Sequence, residues 1–262
     1  SRTMACVTLH RYNKATQQAL LLSHVKFLDS KRESKFQHYR HLSTSTLDKV
    51  TGNHYLHGGD YLIKPDAGAR GVGILKATPE TNLRGFMFEL NKFLDGDEQG
   101  LTKEKLIELC DKFKITKFEG NERQADEDIV MIKGQGLITQ DLNTSRNVKE
   151  YRVLKTLNEI IILERNHLDA TEPNRVEKVI YHTNIIGNTV FSTELHEEIV
   201  AILESAYFPL QHGSIDLSVS KQDQTWGIYE FQNQYSHLDV PEHVHLDFLK
   251  QSIILLMGSQ PT

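Results

Sequence analysis

The sequence predicts a mixed α+β fold, and three observations predict it. Apolar runs of strand length occur beside longer stretches of helical pattern. The strand-like runs come in pairs joined by short polar or glycine-bearing turns, the mark of antiparallel hairpins. The order of elements also lacks the regular strand–helix–strand beat of a doubly wound parallel sheet.

Taken in order, residues 14–50 read mainly as helix, with Leu20, Leu21, Leu22, Val25, Phe27 and Leu28 apolar among Lys, Arg, His and Gln. Tyr61–Leu62–Ile63 is a short apolar run ending in Lys64–Pro65; Gly68, Gly71 and Gly73 follow, and Val72–Ile74–Leu75 resumes an extended pattern. That is a strand, a glycine-rich turn and a second strand. Helices are expected over 82–94 and 102–112, the second with Thr102 as N-cap. Ile129–Val130–Met131–Ile132 reads as a buried strand. Tyr151 to Thr156 and Glu159 to Glu164 form a hairpin turning at Leu157–Asn158, and helix returns over 193–207. Ser214 to Val219 and Trp226 to Phe231 alternate clearly as a second hairpin, and a helix over 244–257 closes the chain.

Composition narrows the function. The 262 residues are 39% hydrophobic and 25% charged, enough for one large domain or two coupled smaller ones. A net charge of −5 and a pI near 6.2 provide no global basic field to recruit nucleic acid. The longest apolar candidate, Ile253 to Met257, falls far short of the roughly 20 residues a membrane helix needs. No signal peptide is expected, since Ser1–Arg2–Thr3–Met4 leads into a mixed segment. Cys6 and Cys110 are far apart and lack metal-ligand spacing, which fits a reducing cytoplasm. The 13 histidines scatter; His243 and His245 share a strand parity without a third ligand, so surface histidines are the plainer reading.

Three constellations carry chemistry. In Ile63–Lys64–Pro65–Asp66–Ala67–Gly68–Ala69–Arg70–Gly71–Val72–Gly73, a strand-end lysine offers an ammonium to phosphate. The glycines let backbone N–H groups approach the same anion, and Arg70 can reach over it. A hairpin whose turn needs glycine is the competing reading. Asp216 and Glu230 sit on adjacent strands of the last hairpin, each interrupting an apolar stretch where a lone carboxylate is costly to bury. A hard divalent cation relieves both that cost and their mutual repulsion, while two solvent-facing acids are the alternative. Finally, Arg152 lies inside an apolar strand, with Glu164–Arg165 across the turn and Asn174–Arg175 beyond. Each arginine calls for an anion, either a structural carboxylate or a bound phosphate.

In this order, a lysine-plus-glycine loop, a strand arginine and an Asp…Glu hairpin near the C-terminus resemble the ATP-grasp superfamily. The nearest likeness is to the ribosomal-protein glutamate ligase branch. It rests on Glu150–Tyr151–Arg152–Val153, Glu164–Arg165 and Asn174–Arg175, and covers residues 60–240 in fragments. The resemblance implies an ATP-grasp fold of two α+β subdomains with nucleotide between antiparallel sheets. The corresponding boundaries are 1–58 for a reduced N-terminal helical region, 59–135 for the subdomain with the glycine-rich loop, and 136–262 for the subdomain with the metal site.

By the same resemblance, the activity is that of an ATP- and magnesium-dependent carboxylate–amine ligase working through an acyl phosphate. Lys64 and Arg152 take the catalytic positions on the phosphates. Gly68, Arg70, Gly71 and Gly73 form a lid, Met131, Ile132 and Lys133 fall at the adenine-binding hinge, and Arg165 joins the nucleotide contacts. Asp216, Glu230 and Gln232 are the implied magnesium ligands. Two departures stand out. Gln232 replaces the usual asparagine, which is displaced to Asn233, and the hinge lacks the glutamate or glutamine such strands carry near their end. A third is length: about sixty residues precede Lys64, fewer than the N-terminal α/β domain common in the family, so the expected acceptor site is either reduced or completed by another subunit of an oligomer. The expected partners are a carboxylate and an amine, a peptide or protein among the candidates. Lys31, Arg32, Lys35, Arg40 and His41 either meet a glutamate-rich peptide or form a solvated helix face. A kinase acting on a hydroxyl and a non-catalytic nucleotide-binding protein are the competing functions.

Overall fold

The computed structural model describes residues 14–31, 36–47, 59–66, 73–94, 100–117, 129–130, 132–133, 136–142, 148–156, 159–166, 175–182, 191–205, 207–210, 212–220, 222–232, 246, 249–250 and 253. In 165–166 and 175–182 it describes the backbone alone. The chain divides into two compact units, one of Asn13–Gln18 and Leu42–Thr144, the other of Ser1–Tyr12, Ala19–His41 and Ser145–Thr262. Both are α+β with antiparallel sheets, the class the sequence predicts. No helix among the described residues is long and apolar enough to cross a membrane.

In the unit containing 42–144, strands β1 (Thr44–Leu47), β2 (Tyr61–Pro65), β3 (Leu75–Ala77), β4 (Thr116–Lys117) and β5 (Leu137–Asp141) form one sheet in the order β1-β5-β2-β3-β4. The expected hairpin is present, with Tyr61 opposite Ala77 and Ile63 opposite Leu75. Leu47, Tyr61, Ile63, Leu75 and Leu137 share one face of the sheet, which packs into a core with α2 (Leu83–Leu94) and α3 (Lys103–Phe113). Alternation then places Leu62, Lys64, Ile138, Gln140 and Thr44 on the other face. Helix α3 begins as expected, the Thr102 hydroxyl accepting from the Lys105 N–H, and it ends on Lys114 in the left-handed region.

Two expectations are corrected here. Helix α1 (Lys14–Asp29) stops well short of residue 50; 36–43 is non-helical and β1 follows. The run Ile129–Ile132 is not a strand: Ile129, Val130, Ile132 and Lys133 are helical, and Met131 lies outside the described residues. Ile129 and Ile132 are 9% and 1% exposed whereas Val130 is 67% exposed, a spacing of three that belongs to a helix. Four consecutive apolar residues cannot tell a buried strand from a buried helical turn.

In the unit containing 145–262, strands β6 (Val148–Lys155), β7 (Ile160–Asn166), β8 (Arg175–His182), β9 (Gly213–Ser220) and β10 (Trp226–Gln232) form a sheet ordered β10-β9-β6-β7-β8. Both expected hairpins are present, β6 with β7 and β9 with β10. Tyr151, Val153, Ile215, Leu217, Trp226 and Ile228 form the sheet's contribution to a core. It is completed by α4 (Thr193–Leu203), through Leu195, Ile199 and Ile202, and by Leu21 and Val25 of α1. Ser192 caps α4 with its hydroxyl. Leu246, Leu249, Lys250 and Ile253 are helical, inside the helix expected over 244–257.

Candidate functional site

Because side chains alternate along a strand, the residues between the core positions of β6, β9 and β10 face away from the core. There Arg152 is register-paired with Asp216, and Asp216 with Glu230, so three charged side chains stand in one row across three adjacent strands. The Arg152 guanidinium donates twice to one carboxylate, Nε to Asp216 Oδ1 at 2.9 Å and Nη2 to Oδ2 at 3.0 Å. Their side chains are 10% and 17% exposed, so this is a shielded bidentate pair rather than a surface one. Gln232 lies two residues beyond Glu230 and donates its amide to Glu230 Oε1 at 2.6 Å.

A β-bulge makes this row. Ile228 pairs with Leu217, but the next pairing is Glu230 with Asp216, the register shifting across Tyr229. Were the same residues paired without the shift, Tyr229 would stand opposite Asp216, and Glu230 would stand opposite Ile215, on the core side. A one-residue slip exchanges the faces of a strand, and here it delivers the second carboxylate to the first. The hairpin was legible in the sequence; the bulge was not.

The other unit holds the lysine. Lys64 is 5% exposed, and its ammonium donates to Gln140 Oε1 at 2.5 Å on the neighbouring strand β5. Gln140 Nε2 donates in turn to Thr44 Oγ1 at 2.9 Å, on β1. Asp66 follows the strand; its carboxylate accepts from the Ala15 N–H at 3.4 Å at the start of α1, and the Lys14 ammonium lies 3.5 Å from the Pro65 carbonyl. Burial pushes the Asp66 carboxyl up, while the Ala15 and Lys14 N–H groups and the two lysines oppose that shift. Gly73 has φ of +73°, and a Cβ there would lie 2.9 Å from Pro65 Cγ, so this end of the glycine-rich segment requires glycine.

Gly68, Arg70 and Gly71 lie outside the described residues, as does Met131. Ile132 is a core residue and Lys133 an exposed helical one. Arg165 is described by its backbone alone, paired with Val176. Sequence reasoning missed Gln140 and Thr44. Among the described residues there is no cluster of three or more His, Cys, Asp and Glu side chains suited to a metal. The donor set of Asp216, Glu230 and Gln232 is nonetheless all oxygen where it can face a cation. Two carboxylates and an amide carbonyl are the donor chemistry magnesium takes, with both Asp216 oxygens accepting from Arg152 in this arrangement.

No protein-family model matches the chain, and no curated protein matches it by sequence. Solved structures do resemble it. The chain is similar to an L-amino acid ligase from Bacillus licheniformis at 9% identity and a TM-score of 0.42, covering 86% of this chain and 41% of that one. It is similar to the ATP-grasp ligase PsnB complexed with minimal precursor at 14% identity and a TM-score of 0.39, covering 95% and 63% respectively. It is also similar to the macrocyclase MdnC bound with precursor peptide MdnA, from Microcystis aeruginosa MRC, at 10% identity and a TM-score of 0.40, covering 92% and 61%. The chain thus spans 41–63% of the length of these three structures.

Proposed function

We propose that the chain is an ATP-grasp enzyme, an ATP- and magnesium-dependent carboxylate–amine ligase that forms an acyl phosphate and releases ADP and phosphate. One observation carries the reading. Arg152, Asp216 and Glu230 stand in a row on adjacent strands, on the face away from the core, with the last placed there by a bulge. Structural ion pairing explains Arg152 with Asp216, but it gives no reason to bring a second carboxylate to the same register position.

In this reading Asp216, Glu230 and Gln232 hold magnesium, which supplies positive charge to phosphate oxygens. Arg152 contacts the γ-phosphate, and Lys64 holds a phosphate oxygen with its ammonium. The segment with Gly68, Arg70, Gly71 and Gly73 covers the phosphates and excludes water from the acyl phosphate. We assign the adenine-binding strand to Leu137–Asp141 in place of residues 131–133. It neighbours the lysine strand and ends in Gln140–Asp141, the kind of residue the resemblance asks for at that point. The substrate carboxylate attacks the γ-phosphate, and an amine, on a small molecule or a peptide, then displaces phosphate from the acyl group. The protein works in the cytoplasm.

Calorimetry of ATP binding with and without magnesium tests this, on wild type beside an Asp216→Asn/Glu230→Gln double variant. Magnesium-dependent binding that the variant loses supports the reading and licenses a screen of carboxylate and amine pairs for ADP release. Wild type that binds no nucleotide under either condition sinks it.

A further inference from the structure

A chain of side-chain hydrogen bonds crosses three strands on the face of the first sheet opposite its helices. It runs from the Lys64 ammonium to Gln140 Oε1 at 2.5 Å, from Gln140 Nε2 to Thr44 Oγ1 at 2.9 Å, and from Thr44 Oγ1 to the Leu42 carbonyl at 3.0 Å. The register explains how residues so distant in sequence meet. Gln140 is directly opposite both Thr44 and Leu62, and Lys64 is two residues beyond Leu62 on the same face. A long side chain spans that diagonal.

The direction of the chain is what carries meaning. A glutamine amide offers a carbonyl at one end and two N–H donors at the other, and only its neighbours decide which end points where. Thr44 donates its one hydroxyl proton to the Leu42 carbonyl, so toward Gln140 it can only accept. That fixes the N–H end of Gln140 on Thr44 and turns the carbonyl end toward Lys64. The reversed amide would set N–H donors against an ammonium, which has donors only. Gln140 is fully buried, so an amide turned the wrong way would find no water to rescue it. Being neutral, it holds the ammonium without cancelling its charge, as a carboxylate in the same place would do.

We propose that Thr44 and Gln140 are positioning residues that aim the Lys64 ammonium for a phosphate group. This rests on the reading of Lys64 as a phosphate ligand. Thr44 acts two side chains away, by setting the sense of the amide between them.

The test is a double-mutant cycle on the full chain, using Thr44→Val, Thr44→Ser, Lys64→Met and Thr44→Val/Lys64→Met. Mg-ATP affinity is read by calorimetry and folding by thermal unfolding. Thr44→Val is expected to weaken Mg-ATP binding about threefold to tenfold, on the scale of one buried hydrogen bond. Thr44→Ser, which keeps the hydroxyl, should stay within about twofold of wild type by the same reasoning. In the Lys64→Met background the Thr44→Val effect on affinity should vanish, and adenosine, which has no phosphate, should bind the Thr44 variants as it binds wild type. A general loosening of the sheet would instead act equally in both backgrounds and on both ligands, and that result overturns the proposal. Gln140→Glu gives an independent arm: an anionic partner for Lys64 should weaken Mg-ATP binding while raising the melting temperature, and unchanged affinity counts against the relay. If wild type binds no Mg-ATP at all, the nucleotide reading is what has failed, and the positioning role goes with it. Binding without coupling overturns the relay alone.

Discussion

Removing the carboxylate of Glu198 should be among the most damaging single changes in the unit containing 145–262. Glu198 is on α4 and buried, and it collects donors from two other parts of the unit. The Gln37 N–H donates to Oε1 at 2.7 Å, and the His38 N–H lies 3.1 Å and 3.0 Å from the two oxygens. His38 Nδ1 is 3.0 Å from Oε1, and the Trp226 indole N–H donates to Oε2 at 3.4 Å. Glu198→Ala leaves the two backbone N–H groups and the indole without this acceptor. Each orphaned donor costs about 1–3 kcal/mol when it stays dry, and water admitted at the partly exposed His38 lowers the sum, so a loss of about 3–5 kcal/mol is expected. Glu198→Gln keeps one carbonyl acceptor and should cost about half as much. Trp226 is the sole tryptophan and belongs to the contact itself, so its fluorescence in urea reports on this unit alone. With a slope of about 2 kcal/mol per molar, the Ala variant should lower the urea midpoint by about 2 M. A shift under about 0.3 M, or equal shifts for Ala and Gln, would refute the view that this carboxylate ties 36–40 and β10 to α4.

Two further predictions concern pH and register. Burial lowers the pKa of His24, His196 and His212, with the Lys155 charge adding to the effect at His24. The unfolded chain therefore binds more protons than the folded one once pH falls below about 6.5, and stability should drop from there downward, by up to about 1.4 kcal/mol per pH unit for each histidine until its own folded pKa is reached. Urea midpoints followed by Trp226 fluorescence from pH 7.5 to 5 check this, and a flat profile would contradict it. Deleting Tyr229, the extra residue, lets Glu230 follow Ile228 directly and still stand opposite Asp216, so Mg-ATP binding should be retained in calorimetry, and its loss would contradict the row. Tyr229→Ala should likewise retain binding, since neither change moves Glu230 off the row with Asp216.

How much was legible in the sequence follows from what each element hides. The hairpin of β9 and β10 reads well because one face is apolar and the other is not, so the period of two survives in the letters. Strand β5 lies between β1 and β2 and buries Leu137, Ile138, Thr139 and Gln140 in succession. A strand hidden on both faces loses its alternation, and buried Thr and Gln look like surface residues in a sequence. The apolar run at 129–132 was read as a strand and β5 was not, for want of any signal in five residues of mixed character. The candidate site divides in the same way. Lys64, Asp216 and Glu230 were visible because each breaks an apolar run, which marks a charge in need of a partner. Arg152 was visible as a cation seeking an anion, yet Asp216 as that anion was not, since 64 residues separate the two and only the antiparallel pairing of β6 with β9 sets them side by side. Gln140 and Thr44 were invisible for both reasons at once: their polarity announces nothing, and their value to Lys64 lies in the direction of hydrogen bonds across a register that the sequence does not spell out.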